Sequence, residues 1–170
     1  EYEQIEGVLS KVAKIYQVKD LLLKVLENKE HKEALVGRIC VTEQVPELFD
    51  QLMEMPPREL AKVLIEGRPA RKNTLTSFLS DEFYALYPLY NFYFTRDSSV
   101  TIGNQVLICR MANKVRMRES LIMEAIYSGS GAFECDIINA HDFQPTNPEI
   151  YMEGGDILIA RDDILVIGNG

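Results

Sequence analysis

The sequence predicts an α/β fold in which a helical subdomain precedes a strand, strand, helix, strand unit and the opening hairpin of a second such unit. Three observations carry this expectation. Apolar residues recur at helical spacing up to Gly67, the period then changes to that of strands, and two similar β-hairpin patterns follow about 57 to 59 residues apart. Each hairpin is entered through a short acidic motif, Asn91-Phe92-Tyr93-Phe94-Thr95-Arg96-Asp97 or Glu153-Gly154-Gly155-Asp156.

Ile5, Val8, Val12 and Ile15 share one face of an opening amphipathic helix, weakened by Gly7. Tyr16-Gln17-Val18 alternates as a short strand would, and Asp20 is placed to N-cap a second helix running through Leu26. From Lys29 to Gly67 the pattern is helical throughout: Ala34 to Cys40, Pro46 to Met55, then a piece with Pro56-Pro57 at its start and Gly67 just past its end. Arg68 to Asn73 reads as a basic, turn-forming linker. Beyond it, Val100 to Ile102 and Gln105 to Cys109 form a hairpin around Gly103-Asn104, whose residues suit the positive φ of a tight turn. Val115 to Tyr127 reads as a helix closed by Gly129-Ser130-Gly131, and Ala132 to Ile138 as a strand. Asp156 to Ala160 and Ile164 to Gly168 make the second hairpin, turning at Arg161-Asp162-Asp163. The expected divisions are residues 1–20, a helix and strand of an incomplete unit; 21–80, a helical insertion; and 81–170, one whole unit plus the next hairpin. The chain reads as a piece of something larger.

With 170 residues, 46% of them hydrophobic, the chain can bury one good core, or one core and a helical annex. Its net charge of −8 repels phosphate backbones and no basic stripe offsets it, so nucleic acid is not an expected partner. The longest apolar run, around Leu21-Leu22-Leu23, is too short for a bilayer, and Glu1-Tyr2-Glu3 lacks the basic start of a signal peptide, so no membrane association is expected. Cys40, Cys109 and Cys135 show no CxxC spacing and suggest neither a disulfide framework nor a zinc site, which fits a reducing cytoplasm. His31 and His141 have no ligand-type neighbour at metal-binding spacing and read as structural or surface residues.

A carboxylate at the lip of each of two similar strand units is what a planar cation such as guanidinium requires, because two fixed anions can share its fork of N–H donors. Asp97 and Glu153 thus point to an arginine-like ligand, against the alternatives of an ordinary Asp-Ser-Ser turn and a strand-entry bulge. Arg116, near a helix start with Arg118 and Glu119, either offers its fork to a ligand carboxylate or belongs to a solvated helix face.

Taken together, Asn91-x-x-Phe94-Thr95-Arg96-Asp97, Ile102-Gly103-Asn104, Arg116-x-Arg118-Glu119 and Glu153-Gly154-Gly155-Asp156, in this order and spacing, resemble the first half of the bacterial arginine deiminases, members of the guanidino-group-modifying superfamily. The resemblance extends over essentially the whole chain, including a helical insertion upstream of the Phe-Thr-Arg-Asp motif. It implies a five-unit α/β-propeller of ββαβ modules. It also implies that Asp97 holds the substrate guanidinium and that Glu153 binds it and assists proton transfer. On the same ground Arg116 pairs with the substrate carboxylate, Asn91 bonds the amino-acid end, Phe94 lines the pocket and Asp156 is a polar pocket or supporting residue. Arg96 and Arg118 are expected to stabilise structure. Family members often carry proline after the aspartate of the first motif, where this chain has Ser98.

The implied reaction is hydrolysis of L-arginine to L-citrulline and ammonia without metal or organic cofactor, in a full-length protein expected to be a homo-oligomer. Guanidinium is a resonance-stabilised cation that resists hydrolysis, so such an enzyme fixes it with carboxylates and attacks its carbon with a thiolate. The histidine and low-pKa cysteine this needs lie further downstream in the family. The three cysteines here are expected to be structural, and the chain alone to be inactive. Two other readings stay open: an agmatine deiminase or amidinotransferase of the same superfamily, or a non-catalytic guanidino-binding or assembly module.

Overall fold

The computed structural model describes residues 2–140 and 151–168; His141 therefore lies outside the described residues. Helix α1 spans Tyr2–Leu9 and leaves Ile5, Val8 and Leu9 exposed. It is shorter than its apolar stripe predicts, ending before Val12. The strand expected at Tyr16-Gln17-Val18 does not form. Gln17 is extended, at φ −86 and ψ 128, but its carbonyl accepts the Asp20 and Leu21 N–H groups and so opens helix α2, Val18–Glu27. Three residues without a partner strand have no ladder to hold them, whereas the helix buries Leu21, Leu22, Val25 and Leu26. Asp20 is accordingly not the cap; it sits in the first turn, where its charge faces the positive end of the helix.

Helix α3, Lys29–Glu43, starts where the Asn28 side chain accepts from the Glu30 and His31 N–H groups at 2.9 and 3.2 Å. A 3-10 turn at Pro46–Leu48 leads into α4, Phe49–Glu54, and then α5, Pro57–Glu66. As the sequence suggests, Pro57 opens α5 and Gly67 closes it with φ 79. A side chain at Gly67 would also meet the Leu86 carbonyl oxygen at 2.6 Å. The basic linker is not wholly irregular: Arg68–Pro69 (β1) pairs antiparallel with Tyr84–Leu86 (β2), and Leu75–Leu79 forms the short helix α6.

The first acidic motif ends in a single helical turn, α7, Thr95–Ser98, rather than in a strand. It runs directly into β3, Ser99–Ile102, which pairs antiparallel with β4, Gln105–Ile108. Gly103 takes φ 60 in the turn between them while Asn104 keeps a negative φ, so only one of the two turn residues needs the glycine-like region. Helix α8, Met117–Gly129, crosses back to β5, Asp136–Asn139, which lies parallel to β4 and completes a three-stranded sheet in the order β3-β4-β5. The strand expected from Ala132 begins only at Asp136, because Asp136 already pairs with Gln105, the first residue of β4. The second hairpin is β6, Ile157–Arg161, with β7, Ile164–Ile167. Like the first it is entered through one helical turn, a 3-10 turn at Gly154–Asp156.

Residues Arg118 to Met123 of α8 are all buried. One side packs on α2 and α3, the other reaches the sheet, so the helix joins two cores. The larger core gathers α2 to α5, Leu86, Leu89, Phe92 and Leu121, Ile122, Met123 and Ile126 of α8. The smaller one holds Val100, Leu107, Cys109, Met111, Ala140 and Ile157 beneath the entry to the second hairpin. Among the described residues no helix is long and apolar enough to cross a membrane.

Candidate functional site

The two acidic motifs meet. Gly154 lies so close to the first motif that a β-carbon on it would stand 1.8 Å from the Arg96 carbonyl oxygen and 3.0 Å from Val100 Cγ2. Arg96 answers from the other side: its Nη2 donates to the Ile157 carbonyl at 2.5 Å and so fastens the first motif to the second hairpin. Ser98 and Ser99, buried beneath, donate their hydroxyls to the Thr95 carbonyl and close the turn that presents Asp97.

Into this junction comes Arg116. Asn113 Oδ1 accepts the Val115 N–H at 3.0 Å and caps a 3-10 turn at Lys114–Arg116, which delivers Arg116 to the start of α8. Its guanidinium lies among three carboxylates. Nη2 donates to Asp97 Oδ2 at 3.0 Å and to Glu119 Oε2 at 2.9 Å, Nε donates to Glu119 Oε1 at 3.1 Å, and Nη1 reaches Glu153 Oε2 at 3.4 Å. Glu119 is fully enclosed, whereas the Asp97 and Glu153 side chains are 31% and 27% exposed. The cluster thus has a closed floor and two carboxylates open to its rim. Bonding to Glu119 and Asp97 holds Arg116 well above the ordinary arginine range, while burial pushes the Glu119 carboxyl up against the opposing pull of Arg116. Glu153 also accepts the Ala112 N–H at 3.0 Å, which fixes one of its oxygens.

The remaining site candidates are placed as follows. Asp156 Oδ2 accepts the Glu153 N–H at 2.9 Å and orders the turn carrying Glu153. Asn91 and Phe94 are exposed on the turn that leads into α7 and join the cluster through the backbone, the Phe94 carbonyl accepting the Asp97 N–H at 3.1 Å. Phe94 stands edge-on to the Tyr93 ring with centroids 5.3 Å apart. Arg118 points the other way from Arg116. It is wholly buried, donates to the Tyr87 carbonyl, and lies 3.3 Å from Glu43 at the end of α3. Sequence reasoning passed over Glu119 as a member of the cluster. The signal was present in its i, i+3 spacing from Arg116, which puts two residues on one face of a helical turn.

None of the cysteines offers an activated thiol. Cys109 is buried beneath the cluster, and burial, with Glu153, Asp156 and Asp97 adding repulsion, pushes its thiol up to about 12. Cys40 is buried and raised by the same cause, with Glu43 and Glu47 adding to it. Cys135 adjoins the Asp136 end of β5, whereas the cluster lies beyond the opposite end of the sheet. Among the described residues no group of three His, Cys, Asp or Glu side chains is placed to hold a metal ion.

Fold and site together define a mixed helix-and-sheet protein whose two hairpin entries converge as carboxylates on one guanidinium. The family profile described as Arginine deiminase matches residues 6–170, and the chain belongs to that family. It is 34% identical over 134 residues to an arginine deiminase of Limosilactobacillus fermentum, a match covering 71% of this chain and 31% of that protein. A Listeria innocua arginine deiminase is 32% identical over 157 residues, covering 86% and 38% respectively. One of Listeria monocytogenes is 28% identical over 166 residues, covering 91% and 40%. The chain therefore spans roughly a third of the length of these relatives.

Proposed function

We propose that this chain forms the substrate-binding part of an arginine deiminase, which hydrolyses the guanidinium of L-arginine to L-citrulline and ammonia through a covalent cysteine intermediate. The observation that carries the reading is that Asp97 and Glu153, from two separate hairpin entries, both lie within reach of one guanidinium, that of Arg116. Side chains that converge on one such cation have the spacing and charge to hold another, and fixing both edges of the group aligns its carbon for attack. Asp97 takes the role of guanidinium holder, and Glu153 that of holder and proton carrier. Arg116 serves as partner for the substrate carboxylate, Asn91 and Phe94 serve the amino-acid end and pocket wall, and Asp156 supports Glu153. The proposal extends to the fold: this ββαβ unit and second hairpin belong to a five-unit propeller with α2 to α6 as an insertion. It places the protein in the cytoplasm as a homo-oligomer.

The nucleophile of this reading is a cysteine outside the chain, since Cys109, the thiol nearest the carboxylates, is buried and hard to ionise. The test is citrulline release. The full-length natural protein should convert L-arginine to citrulline, the 170-residue chain should bind arginine without turnover, and Asp97→Asn in the full-length protein should abolish turnover. A full-length protein that binds arginine but never releases citrulline would sink the assignment, as would full activity in the Asp97→Asn form.

A further inference from the structure

We infer that Arg116 is an internal competitor for the guanidinium site, so that the pocket selects ligands bringing a carboxylate of their own; this rests on the reading of Asp97 and Glu153 as guanidinium holders. The two carboxylates open to the rim are the two that Arg116 engages with its terminal nitrogens, Asp97 at 3.0 Å and Glu153 at 3.4 Å. A guanidinium arriving between them meets a cation already in place. Displacement does not require Arg116 to leave the site. Glu119 holds it through Nε and Nη2 from a fully enclosed position and anchors it as the other contacts exchange.

The charges decide which ligands succeed. Asp97, Glu119 and Glu153 carry three negative charges against the single positive charge of Arg116, so a second cation is electrostatically tolerable in the cluster. The displaced arm of Arg116, which is only 14% exposed, still needs an anion in exchange for Asp97 and Glu153. A zwitterionic guanidino acid supplies one in its α-carboxylate. Guanidinium ion or agmatine supplies none, and for these Arg116 is an uncompensated rival. The 3.4 Å contact to Glu153 is the longest of the four, and it is the contact expected to yield first.

Calorimetric titration of the 170-residue chain with L-arginine, agmatine and guanidinium chloride tests this. The comparison chain is R116Q/E119Q, in which a neutral amide pair replaces the ion pair so that no buried carboxylate is stranded. The expected result is that agmatine and guanidinium bind about tenfold tighter to R116Q/E119Q than to the unaltered chain, while the preference for arginine over agmatine disappears. Adding Asp97→Asn should remove the gain. A second readout needs no variant: guanidinium chloride should move the Arg116 Nε–Hε resonance of the unaltered chain. Equal guanidinium affinity in both chains, or binding that leaves that resonance unmoved, overturns the competition while leaving a guanidinium site standing. Absence of binding by every ligand to either chain overturns the competition and the guanidinium-holding reading together.

Discussion

Replacing Gly154 with alanine tests the junction on which the site depends. The added β-carbon would stand 1.8 Å from the Arg96 carbonyl oxygen and 2.7 Å from its carbon, both backbone atoms that cannot rotate aside. Reaching an ordinary contact of 3.4 Å or more requires the two motifs to part by roughly 1.5 Å. Gly154 does not occupy the positive-φ region, so the effect is steric alone. Overpacking of this kind costs about 3 kcal/mol. For a domain of this size that lowers the melting temperature by about 6–12 °C. The same displacement carries Glu153 away from Asp97, and losing one charge-assisted hydrogen bond to a bound guanidinium weakens it about tenfold. Thermal unfolding followed by circular dichroism, with guanidinium titration below the transition, measures both effects. Gly155 is the control: a β-carbon there meets nothing within 4 Å, so Gly155→Ala should stay within about 0.5 kcal/mol of the parent. A Gly154→Ala chain as stable and as competent in binding as Gly155→Ala would refute the packing of the two motifs against each other.

Three further outcomes are expected. Arg118→Met strands Glu43 beside a wholly buried position and should cost about 3–5 kcal/mol in urea unfolding, while Arg118→Met with Glu43→Gln should recover most of the loss. Burial raises the Glu119 carboxyl, so its contribution to stability is complete below the unfolded value of about 4.3 and is lost as pH rises through the folded one. Urea unfolding between pH 4 and 7 should therefore show a smaller decline with rising pH for Glu119→Gln than for the parent chain. Finally, a thiol reagent at pH 8 should label the half-buried Cys135 first and reach Cys40 and Cys109 only in denaturant, since both are buried and raised.

Features set by neighbours in the chain were readable without coordinates. Pro57 and Gly67 mark the ends of α5, the two hairpins lie where apolar runs flank short polar turns, and α8 fills the interval between Val115 and Gly129, all because helix termini and tight turns depend on local φ and local hydrogen bonding. The misread segments failed for a complementary reason. Alternation at Tyr16 to Val18 lacked a partner strand, and the strand after α8 starts at Asp136 because the start of β4 sets its register. Arg116 was open to two readings, ligand fork or solvated helix face, and its position among three carboxylates depends on residues up to 37 positions away. The burial of Arg118 depends on Glu43, 75 positions away.

The sequence by itself determined the helices, the hairpins, and the acidic residues at the head of each hairpin, along with the motif order that the arginine deiminase family shares. Tertiary structure decided that the two acidic motifs touch through Gly154 and Arg96, that Glu119 lies beneath Arg116, and that Arg116 rather than solvent faces Asp97 and Glu153. Secondary structure follows from interactions across a few residues, whereas three like charges are brought together only when a packed core and an interposed cation make their approach favourable.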